Sequence, residues 1–488
     1  MRSRRYAMRR RQAGGVRALA VGLAGAALSA DVRAEECRAH APPRVLPANA
    51  LPPPGAPFEG YPPVGRAQKV RIAEESLAAS ARALVRAPLD SAAQVGGRTA
   101  ERLIIRAREV APRPQFNLAA HLGPDADDLG GTTGGPPVPA RLTLLPSSEA
   151  SVQALLGLIA TAERRIDLMM YGWDDDPTAR EVAEALPVRA RRGVPVRLLV
   201  DRTGFLIHNA AVAHDRPTFL DALRTVPNVT MIEPPGAFFR FDHRKLALID
   251  GRIAWSGGMI LTEVARRRWH NLAFLAEGPI VAAYAQAFEE RWSEVGGCPA
   301  GPNLVLDAWR PCDQPNASVR LIATDVRVRS LKATIYHAVD HARHHIYLEN
   351  PYFSDEVLTD KLVAARKRGV DVRAVLTLRG NVRRLNRYET LTANRLLRGG
   401  VRVWLYPTMT HVKAMSADGL WAYLGTGNFD ELSLRNNREI GLSVTSPEVA
   451  GQLDRSVFLP DMADSQELTD LLPMPKGRLF LELFALWY

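Results

Sequence analysis

Apolar and polar positions follow one another in the same order twice along the 488 residues of the chain. Short apolar runs alternate with segments in which apolar residues recur every three or four positions, the patterns of buried strands and of helices. A strand–helix–strand order favours a parallel sheet covered by helices. We therefore predict an α/β fold made of two tandem halves related by a pseudo-twofold axis. The predicted elements are helices at 152–162 and 177–192 with strands at 166–171, 196–200 and 246–249, then helices at 326–343 and 354–368 with strands at 346–348 and 372–376.

Changes in composition predict the domain boundaries. Residues 35–66 are rich in proline and alanine, and two helical patterns follow at 69–85 and 99–110. The apolar last ten residues fit either a membrane interface or a terminal element packed on the core. The predicted divisions are a leader at 1–34, a Pro-rich linker and helical N-terminal region at 35–139, a first half at 140–295, a linker at 296–318 and a second half at 319–488.

The first 34 residues have the features of an export signal. An arginine-rich start precedes an apolar run at 18–30 and a small-residue cleavage pattern at 32–34. Such a run is too short to span a bilayer comfortably, although an uncleaved anchor is the alternative. Neighbouring arginines near the start are also a feature of twin-arginine export. We predict an exported protein of the periplasm or cell envelope, associated peripherally with the membrane.

Charge and cysteine content restrict the partners of the chain. The net charge of +11 gives little support for nucleic-acid binding, because the leader alone holds eight arginines and one acidic residue. Of the three cysteines, Cys298 and Cys312 flank a short Pro-rich stretch and could form a disulfide after export. The sequence lacks the cysteine and histidine spacings typical of metal sites, so we predict neither a metal nor another cofactor.

One motif, H-x-K-x-x-x-x-D, occurs once in each predicted half. Its residues are His243, Lys245 and Asp250 in the first copy and His411, Lys413 and Asp418 in the second. A turn of small residues follows each copy. The position 28 residues after the histidine is Asn271 in the first copy and Glu439 in the second. Two copies with the same downstream spacing indicate function rather than chance.

A histidine from each half predicts a shared site at the interface between the halves. A neutral imidazole can attack phosphorus, and a protonated one can give its proton to the leaving oxygen. Lys245 and Lys413 would face the negative charge that develops on the phosphoryl oxygens. Asn428 and the turn residues Ser256 and Thr426 could add hydrogen-bond donors. The predicted reaction is a two-step displacement through a phosphohistidine that requires no metal.

These paired motifs resemble the phospholipase D superfamily, and the resemblance extends from about residue 140 to the C-terminus. The residues that carry it are 243–245, 249–251 and 349–353, then Leu424–Asp430, Ser433, Arg435, Asn436 and Glu439, which together are similar to cardiolipin synthases and related bacterial members. The resemblance implies an α/β sandwich in each half and either phosphodiester hydrolysis or phosphatidyl transfer at the shared site. It also implies that His243 is the nucleophile and His411 the general acid.

Two positions of the first half depart from that family's pattern, which usually has Asn in place of Ile260 and an acid in place of Asn271. By the resemblance, the acid orients the histidine of its own half, much as the aspartate of a serine-protease triad does. The expected pairs are therefore His411 with Glu439 and His243 with Asn271. Because Asn271 adds no negative charge, an exchange of roles that makes His411 the nucleophile stays open.

Other polar residues allow both a structural and a functional interpretation. Asp250 and Asp418 each lie at a predicted strand-to-turn junction, which favours a structural role. Residues 266–268 are three arginines that either form a solvated face or attract a phosphate or headgroup.

Residues that follow predicted strands are candidates for substrate contact, because α/β sheets bind ligands at strand ends. Either an entrance for the substrate or packing in the core would explain the aromatic ones. The candidates are the aromatic residues Trp173, Tyr352 and Phe353 and four arginines of a predicted loop after the strand at 372–376, Arg379, Arg383, Arg384 and Arg387.

The function predicted from these observations is phosphodiester transfer or hydrolysis on phospholipids at a membrane surface. The acceptor could be water, an alcohol or a second phospholipid. A monomer is expected because both motifs lie in one chain. An exported nuclease and a degenerate scaffold that binds lipid or protein are the alternatives, although nucleic acid is the less favoured partner.

Overall fold

The computed structural model describes residues 136–201, 204, 218–234, 240–298, 313–325, 328–377, 380–381 and 383–474. The predicted leader, the two N-terminal helices, the Pro-rich part of the linker and the C-terminal apolar segment lie outside these residues, as does Arg379. Cys298 is disulfide-bonded. Its predicted partner, Cys312, also lies outside the described residues.

The first half runs from the first strand to a long helix that packs under the sheet. Helix α1 begins after Ser147, whose hydroxyl accepts the N–H of Ala150 at 3.1 Å, and Asp176 caps helix α2 in the same way. The elements are β1 (Val138–Leu145), α1 (Ser148–Thr161), β2 (Ile166–Tyr171), α2 (Pro177–Ala190), β3 (Val196–Asp201), α3 (Phe219–Thr225), β4 (Val229–Ile232), β5 (Leu246–Ile249), β6 (Ile253–Gly257), α4 (Glu263–Arg268), β7 (Trp269–His270), β8 (Ala273–Glu277) and α5 (Ile280–Glu294).

The second half repeats this order. Its elements are β9 (Ala317–Thr324), α6 (Ser330–His341), β10 (His345–Asn350), α7 (Glu356–Lys367), β11 (Asp371–Leu376), α8 (Arg383–Arg398), β12 (Arg402–Leu405), β13 (Met409–Thr410), β14 (Ala414–Ala417), β15 (Trp421–Gly425), α9 (Glu431–Arg435), β16 (Glu439–Thr445), α10 (Pro447–Leu453), a π-helical turn (Asp454–Phe458), α11 (Leu459–Ala463) and β17 (Gln466–Glu467). The prediction that 379–387 is a loop is wrong for Arg383, Arg384 and Arg387, which lie in α8.

Strands from both halves form one continuous sheet. Within the described ranges its order is β17-β12-β11-β10-β14-β15-β16-β9-β1-β8-β6-β5-β2-β3-β4, so the halves meet where β1 pairs with β9. The order on one side of that junction mirrors the order on the other, which confirms the predicted duplication. Strands β2, β3 and β4 are parallel, as are β10, β11 and β12, but the remaining pairs are antiparallel. The predicted parallel sheet is therefore correct only for the outer part of each half.

Three apolar clusters hold the layers together. One lies behind the junction of the halves and joins β1, β8 and α5 to β16, α10 and the π-helical turn. The other two fill the space between the sheet and helices α1 to α3 in the first half, and between the sheet and helices α6 to α8 in the second. Burial of these faces is the main driving force for the arrangement of helices on both sides of the sheet. Every helix in the described ranges is too short or too polar to cross a bilayer.

The motif aspartates have the structural role that their position predicts. Asp250, at a φ of 57°, accepts the backbone N–H groups of Glu163, Arg164 and Arg165 at 2.7–3.1 Å, where the chain enters β2. Asp418, at a φ of 56°, accepts three backbone N–H groups in the same way before β10. Each carboxylate therefore fixes the turn that follows a motif strand against the start of its neighbouring strand.

Asp250→Ala is expected to lower the free energy of unfolding by about 1–3 kcal/mol, because three backbone donors lose a charged acceptor and alanine tolerates a positive φ less well than aspartate does. Urea unfolding would measure the loss. Asp250→Asn keeps one acceptor oxygen and tolerates this φ, so it should lose less. A stable Asp250→Ala protein that has lost its turnover would contradict the structural role.

Candidate active site

The motif histidine of the first half is oriented by a carboxylate of the second. His243 precedes β5, and its Nδ1 lies 2.8 Å from Oε1 of Glu439, the first residue of β16. Glu439 also accepts the hydroxyls of Thr426 at 2.6 Å and Ser433 at 2.8 Å. These contacts fix the carboxylate at Nδ1 and leave Nε2 of His243 to face the site.

The motif histidine of the second half is oriented by an amide of the first. Nδ1 of His411 lies 3.1 Å from Oδ1 of Asn271. Asn271 donates its own N–H groups to Ser148 Oγ at 3.0 Å and to the carbonyl of Ala265 at 3.2 Å, so its oxygen is the atom that faces the ring. The expected pairing within each half, His411 with Glu439 and His243 with Asn271, is therefore wrong.

Backbone contacts between the halves explain the exchange of partners. The N–H of His243 donates to the carbonyl of Arg438 at 3.0 Å, and the N–H of His411 donates to the carbonyl of His270 at 2.6 Å. Each histidine is thus held beside the residue that precedes the partner in the opposite half. Side chains that lie on the same face of such paired segments meet across the interface. The two motifs therefore interlock, and each half completes the site of the other.

The partners give the two histidines different chemical characters. Burial lowers the pKa of His243 well below its usual value, and the charges of Lys245 and Lys413 lower it further, so the ring is neutral and nucleophilic at neutral pH. Burial raises the pKa of Glu439 to about 7, although Lys245 and the hydroxyl donors oppose the rise. Asn271 offers His411 a neutral oxygen, which stabilises an imidazolium less than a carboxylate would. This geometry favours His243 as the nucleophile and His411 as the acid.

Both motif lysines are buried, and the nearby carboxylates do not offset the cost of burying their charge. Nζ of Lys245 donates to the carbonyl of His243 at 2.6 Å, and Nζ of Lys413 donates to the carbonyl of His411 at 3.0 Å. Burial lowers the pKa of Lys245 to about 7. Burial and the charge of Lys245 lower the pKa of Lys413 well below its usual value. An anion bound between the ammonium groups would offset this cost, so the pair is suited to a phosphodiester.

The small-residue turns differ between the halves. Thr426 and Asn428 are buried beside Glu439, and a hydrogen bond from Asn428 helps to lower the pKa of Asp430, which burial raises to about 7. Ser256 instead donates to the carbonyl of Lys245 at 2.7 Å, a contact within the sheet. Ile260 is fully buried in the apolar cluster of the first half. The amide that the family usually has in the first half is therefore replaced by a packing residue.

Sequence inspection overlooked two aromatic residues that contact the histidines. The ring of Tyr171, at the end of β2, lies edge-on to His243 at 4.7 Å between centroids, and Nζ of Lys245 lies 4.9 Å from its centre. The ring of Trp269 lies 5.1 Å from that of His411. The position of Tyr171 at a strand end is a signal that could have identified it.

Three of the predicted substrate contacts have structural roles instead. Arg266 forms ion pairs with Glu149 at 2.6 Å and Glu181 at 2.5 Å, so the first of the three arginines joins helices of the first half. Trp173 and Phe353 are fully buried in apolar clusters, which excludes them from an entrance.

Tyr352 remains compatible with the predicted role in substrate binding. It is 9% exposed, and its hydroxyl donates to Oδ1 of Asn381. Arg379, the other predicted contact, lies outside the described residues.

Gly258→Ala is expected to lower turnover by about 10²-fold, because the added methyl group would overlap the carbonyl oxygen of His411 and displace this residue. Gly157 is a matched control in α1, where an added methyl group meets no atom within 4 Å. Gly157→Ala should leave turnover unchanged and stabilise the helix by about 0.5–1 kcal/mol. Steady-state rates and thermal unfolding of both variants would test this contact, and equal rates for the two would contradict it.

Comparison with known proteins identifies the family whose motifs the sequence resembles. The family model described as "Cardiolipin synthase, PLD-like domain" matches residues 155–292 and 335–457, more than half of the chain. Cardiolipin synthase A of Cronobacter sakazakii (strain ATCC BAA-894) is 28% identical over 355 residues, which cover 67% of this chain and 68% of that protein. Cardiolipin synthase A of Escherichia coli O1:K1 / APEC is 28% identical over 332 residues, or 62% of this chain and 65% of that protein. The chain thus spans about two thirds of the length of these relatives.

A solved structure shares the fold. Phosphatidylserine synthase of Haemophilus influenzae Rd KW20 superposes with a TM-score of 0.55 at 15% identity, over 72% of this chain and 94% of that chain.

Proposed function

The chain belongs to the phospholipase D superfamily and resembles its cardiolipin synthases, and from this premise we propose that it transfers phosphatidyl groups, or hydrolyses phospholipid phosphodiesters, through a phosphohistidine on His243. The observation that carries the proposal is the exchange of partners between the halves. It gives one histidine a carboxylate and the other an amide, beside two buried lysines. This asymmetry matches a reaction that needs a nucleophile and an acid.

In the first step, Nε2 of His243 attacks the phosphorus of the lipid. The bond between phosphorus and the headgroup oxygen breaks, and this oxygen takes the proton from Nε2 of protonated His411. The products are a phosphatidyl group bonded to His243 and a free headgroup alcohol. Lys245 and Lys413 balance the charge on the phosphoryl oxygens, with Asn428 as a further donor. Glu439 stabilises the positive charge that the imidazole gains.

In the second step, an acceptor hydroxyl gives its proton to Nε2 of His411 and attacks the phosphorus. The bond between phosphorus and His243 breaks, and the acceptor keeps the phosphatidyl group. Water as the acceptor yields phosphatidic acid, and the hydroxyl of an alcohol or a second phospholipid yields a transfer product. The same two histidines therefore serve both outcomes, and exclusion of water would decide between them.

The lipid substrate is proposed from the relatives, whose names describe cardiolipin and phosphatidylserine synthesis. Both of these products are membrane lipids, so a catalytic domain of this kind would act at a membrane surface. We propose that the predicted leader directs it to the periplasm or cell envelope, where it works as a peripheral monomer with both motifs in one chain. Catalysis by this scheme uses only side chains of the chain itself.

Vesicles of phosphatidylglycerol, with and without added ethanol, would test the proposal. Wild-type protein should form phosphatidic acid, phosphatidylethanol or cardiolipin, which mass spectrometry distinguishes. A His243→Ala/His411→Ala protein should form none of these. Turnover of DNA with no lipid product would instead identify a nuclease. A wild-type protein without turnover of either substrate would favour the scaffold interpretation.

A further inference from the structure

A second cluster of titratable side chains lies beside the segment that leads to His411. His270, Glu349 and Asp461 come from β7, β10 and α11, and one ligand atom of each lies within 4.8 Å of the other two. Nε2 of His270 is 2.8 Å from Oδ2 of Asp461. Glu349 is 0% exposed and Asp461 is 5% exposed. The first residue belongs to the first half of the chain and the other two belong to the second.

At the equivalent position in the other half, a buried carboxylate is paired with positively charged side chains. On that side, the backbone of Asp242 forms a parallel β-bridge with Arg438. On this side, Thr410 pairs with His270 in the same way. Arg244 holds Asp242 at 2.7 Å and Arg291 holds it at 2.9 Å. These guanidinium groups keep the pKa of Asp242 well below its usual value. A buried carboxylate at this interface is thus neutralised by two arginines.

The cluster around His270 lacks such a balance. Glu349 accepts the hydroxyl of Thr410 with Oε1, but Oε2 is buried without a hydrogen-bond donor. Among the described residues, neither Glu349 nor Asp461 forms an ion pair with an arginine or a lysine. The imidazole therefore pairs with Asp461, and Glu349 lies against the carboxyl group of Asp461. A buried acid without a cationic partner is costly, so the arrangement calls for a further positive charge.

We propose that His270, Glu349 and Asp461 bind a divalent transition-metal ion of the Zn²⁺ class, which bridges the two halves. One imidazole and two carboxylates are ligands that Zn²⁺ accepts, whereas Ca²⁺ and Mg²⁺ favour sites of oxygen ligands alone. Ligand atoms around a tetrahedral Zn²⁺ lie roughly 3.3 Å apart, which the present separations allow with small adjustments. The side chain of His270 is 16% exposed, which leaves a path for the ion.

The proposed ion would act on the catalytic site through the backbone. The carbonyl of His270 accepts the N–H of His411, and Thr410 both precedes His411 and donates to Glu349. An ion bound to both His270 and Glu349 would therefore fix the paired strands β7 and β13, and with them His411, which directly follows β13. The ion would be a structural link and takes no part in the proposed chemistry. Motif spacing in the sequence gives no sign of it, because its ligands come from three distant elements.

Titration of the full chain with ZnCl₂ would test the site, after dialysis against a chelator and then against metal-free buffer. Calorimetry should show one equivalent bound, and thermal unfolding should shift upward with Zn²⁺ concentration, because the ion binds the folded state. Glu349→Gln should weaken binding by more than about tenfold. This change keeps the size of the side chain and the acceptor for Thr410, so the variant should fold. His270→Gln should have the same effect on binding.

A matched control for His270 is available in the second half. His345 lies 3.2 Å from Asp454 as a histidine–carboxylate pair, and no second carboxylate joins them in the same way within the described residues. His345→Gln should bind Zn²⁺ as the wild type does. Unchanged Zn²⁺ binding in Glu349→Gln would place the ion elsewhere, for example at the catalytic histidines, and would overturn the proposal. Failure of the wild type to bind Zn²⁺ would overturn it as well. Neither result depends on lipid turnover.

Discussion

His243→Ala is expected to abolish turnover of every phosphodiester substrate, with a loss of at least about 10⁴-fold, because no other group would form the covalent intermediate. His411→Ala should lower turnover of phospholipid by about 10²–10⁴-fold, which is the range for loss of a general acid. These two losses have different causes, so a substrate that needs no acid should separate them. A p-nitrophenyl phosphodiester is such a substrate, because its phenolate departs without a proton.

With the p-nitrophenyl substrate, His411→Ala should still release a burst of p-nitrophenolate equal to the enzyme concentration. The phosphorylated His243 would then persist, since the second step lacks its base, and mass spectrometry of the intact protein should detect the adduct. His243→Ala should show neither the burst nor the adduct. The opposite pattern, with a burst from His243→Ala alone, would assign the nucleophile to His411 and reverse the roles proposed above.

Glu439→Gln is expected to lower turnover by about 10²–10⁴-fold, because a neutral amide stabilises the charged imidazole of His243 less and can hold the wrong tautomer. The loss should be as large with the p-nitrophenyl substrate as with phospholipid, since Glu439 serves the nucleophile. A pairing of Glu439 with His411 would give a different result, because the first step with the p-nitrophenyl substrate needs no acid and its burst of p-nitrophenolate would keep the wild-type rate. Rates for both substrates therefore distinguish the two pairings directly.

The pH dependence offers a further check on Glu439. Burial raises its pKa to about 7, so the carboxylate that supports His243 is lost as the pH falls through this value. The wild-type rate should therefore decrease as the pH is lowered below 7, and Glu439→Gln should not show this decrease. Glu389→Gln is a matched control, because Glu389 is also a buried glutamate with a raised pKa in the same half. Glu389→Gln should show the same decrease of the rate at low pH as the wild type.

Sequence patterns predicted the apolar strands β2, β3, β5, β10 and β11 but not the strands that join the halves. The predicted strand at 166–171 coincides with β2, because both faces of β2 are buried and its residues form a mostly apolar run. The joining strands β1 and β9 were not predicted. In β1 only alternate residues are buried, and its polar positions and Pro139 interrupt the pattern. Strands that mix apolar, small and polar residues give a weak signal, and these are the strands that unite the halves.

The candidate site was predicted in its residues but not in its pairing. The motif histidines, the lysines and Glu439 were identified by their type and spacing, and the structure brings them together at the interface. The spacing of 28 residues is the same in both copies, so it gives no information on whether Asn271 contacts His243 or His411. Only the contact between backbone segments of opposite halves decides this, as in the bond from the N–H of His243 to Arg438.

The exchange of partners also has an evolutionary consequence. Two identical copies of one unit would build a symmetric site, in which both histidines carry the same partner and neither is committed to a role. Once both copies lie in a single chain, each position can mutate alone, and Asn271 can diverge from Glu439 without altering it. A single chain that holds both copies thus has a freedom that a symmetric pair of chains lacks. Its two histidines can therefore take different roles, although the backbones of the two halves keep the same strand order.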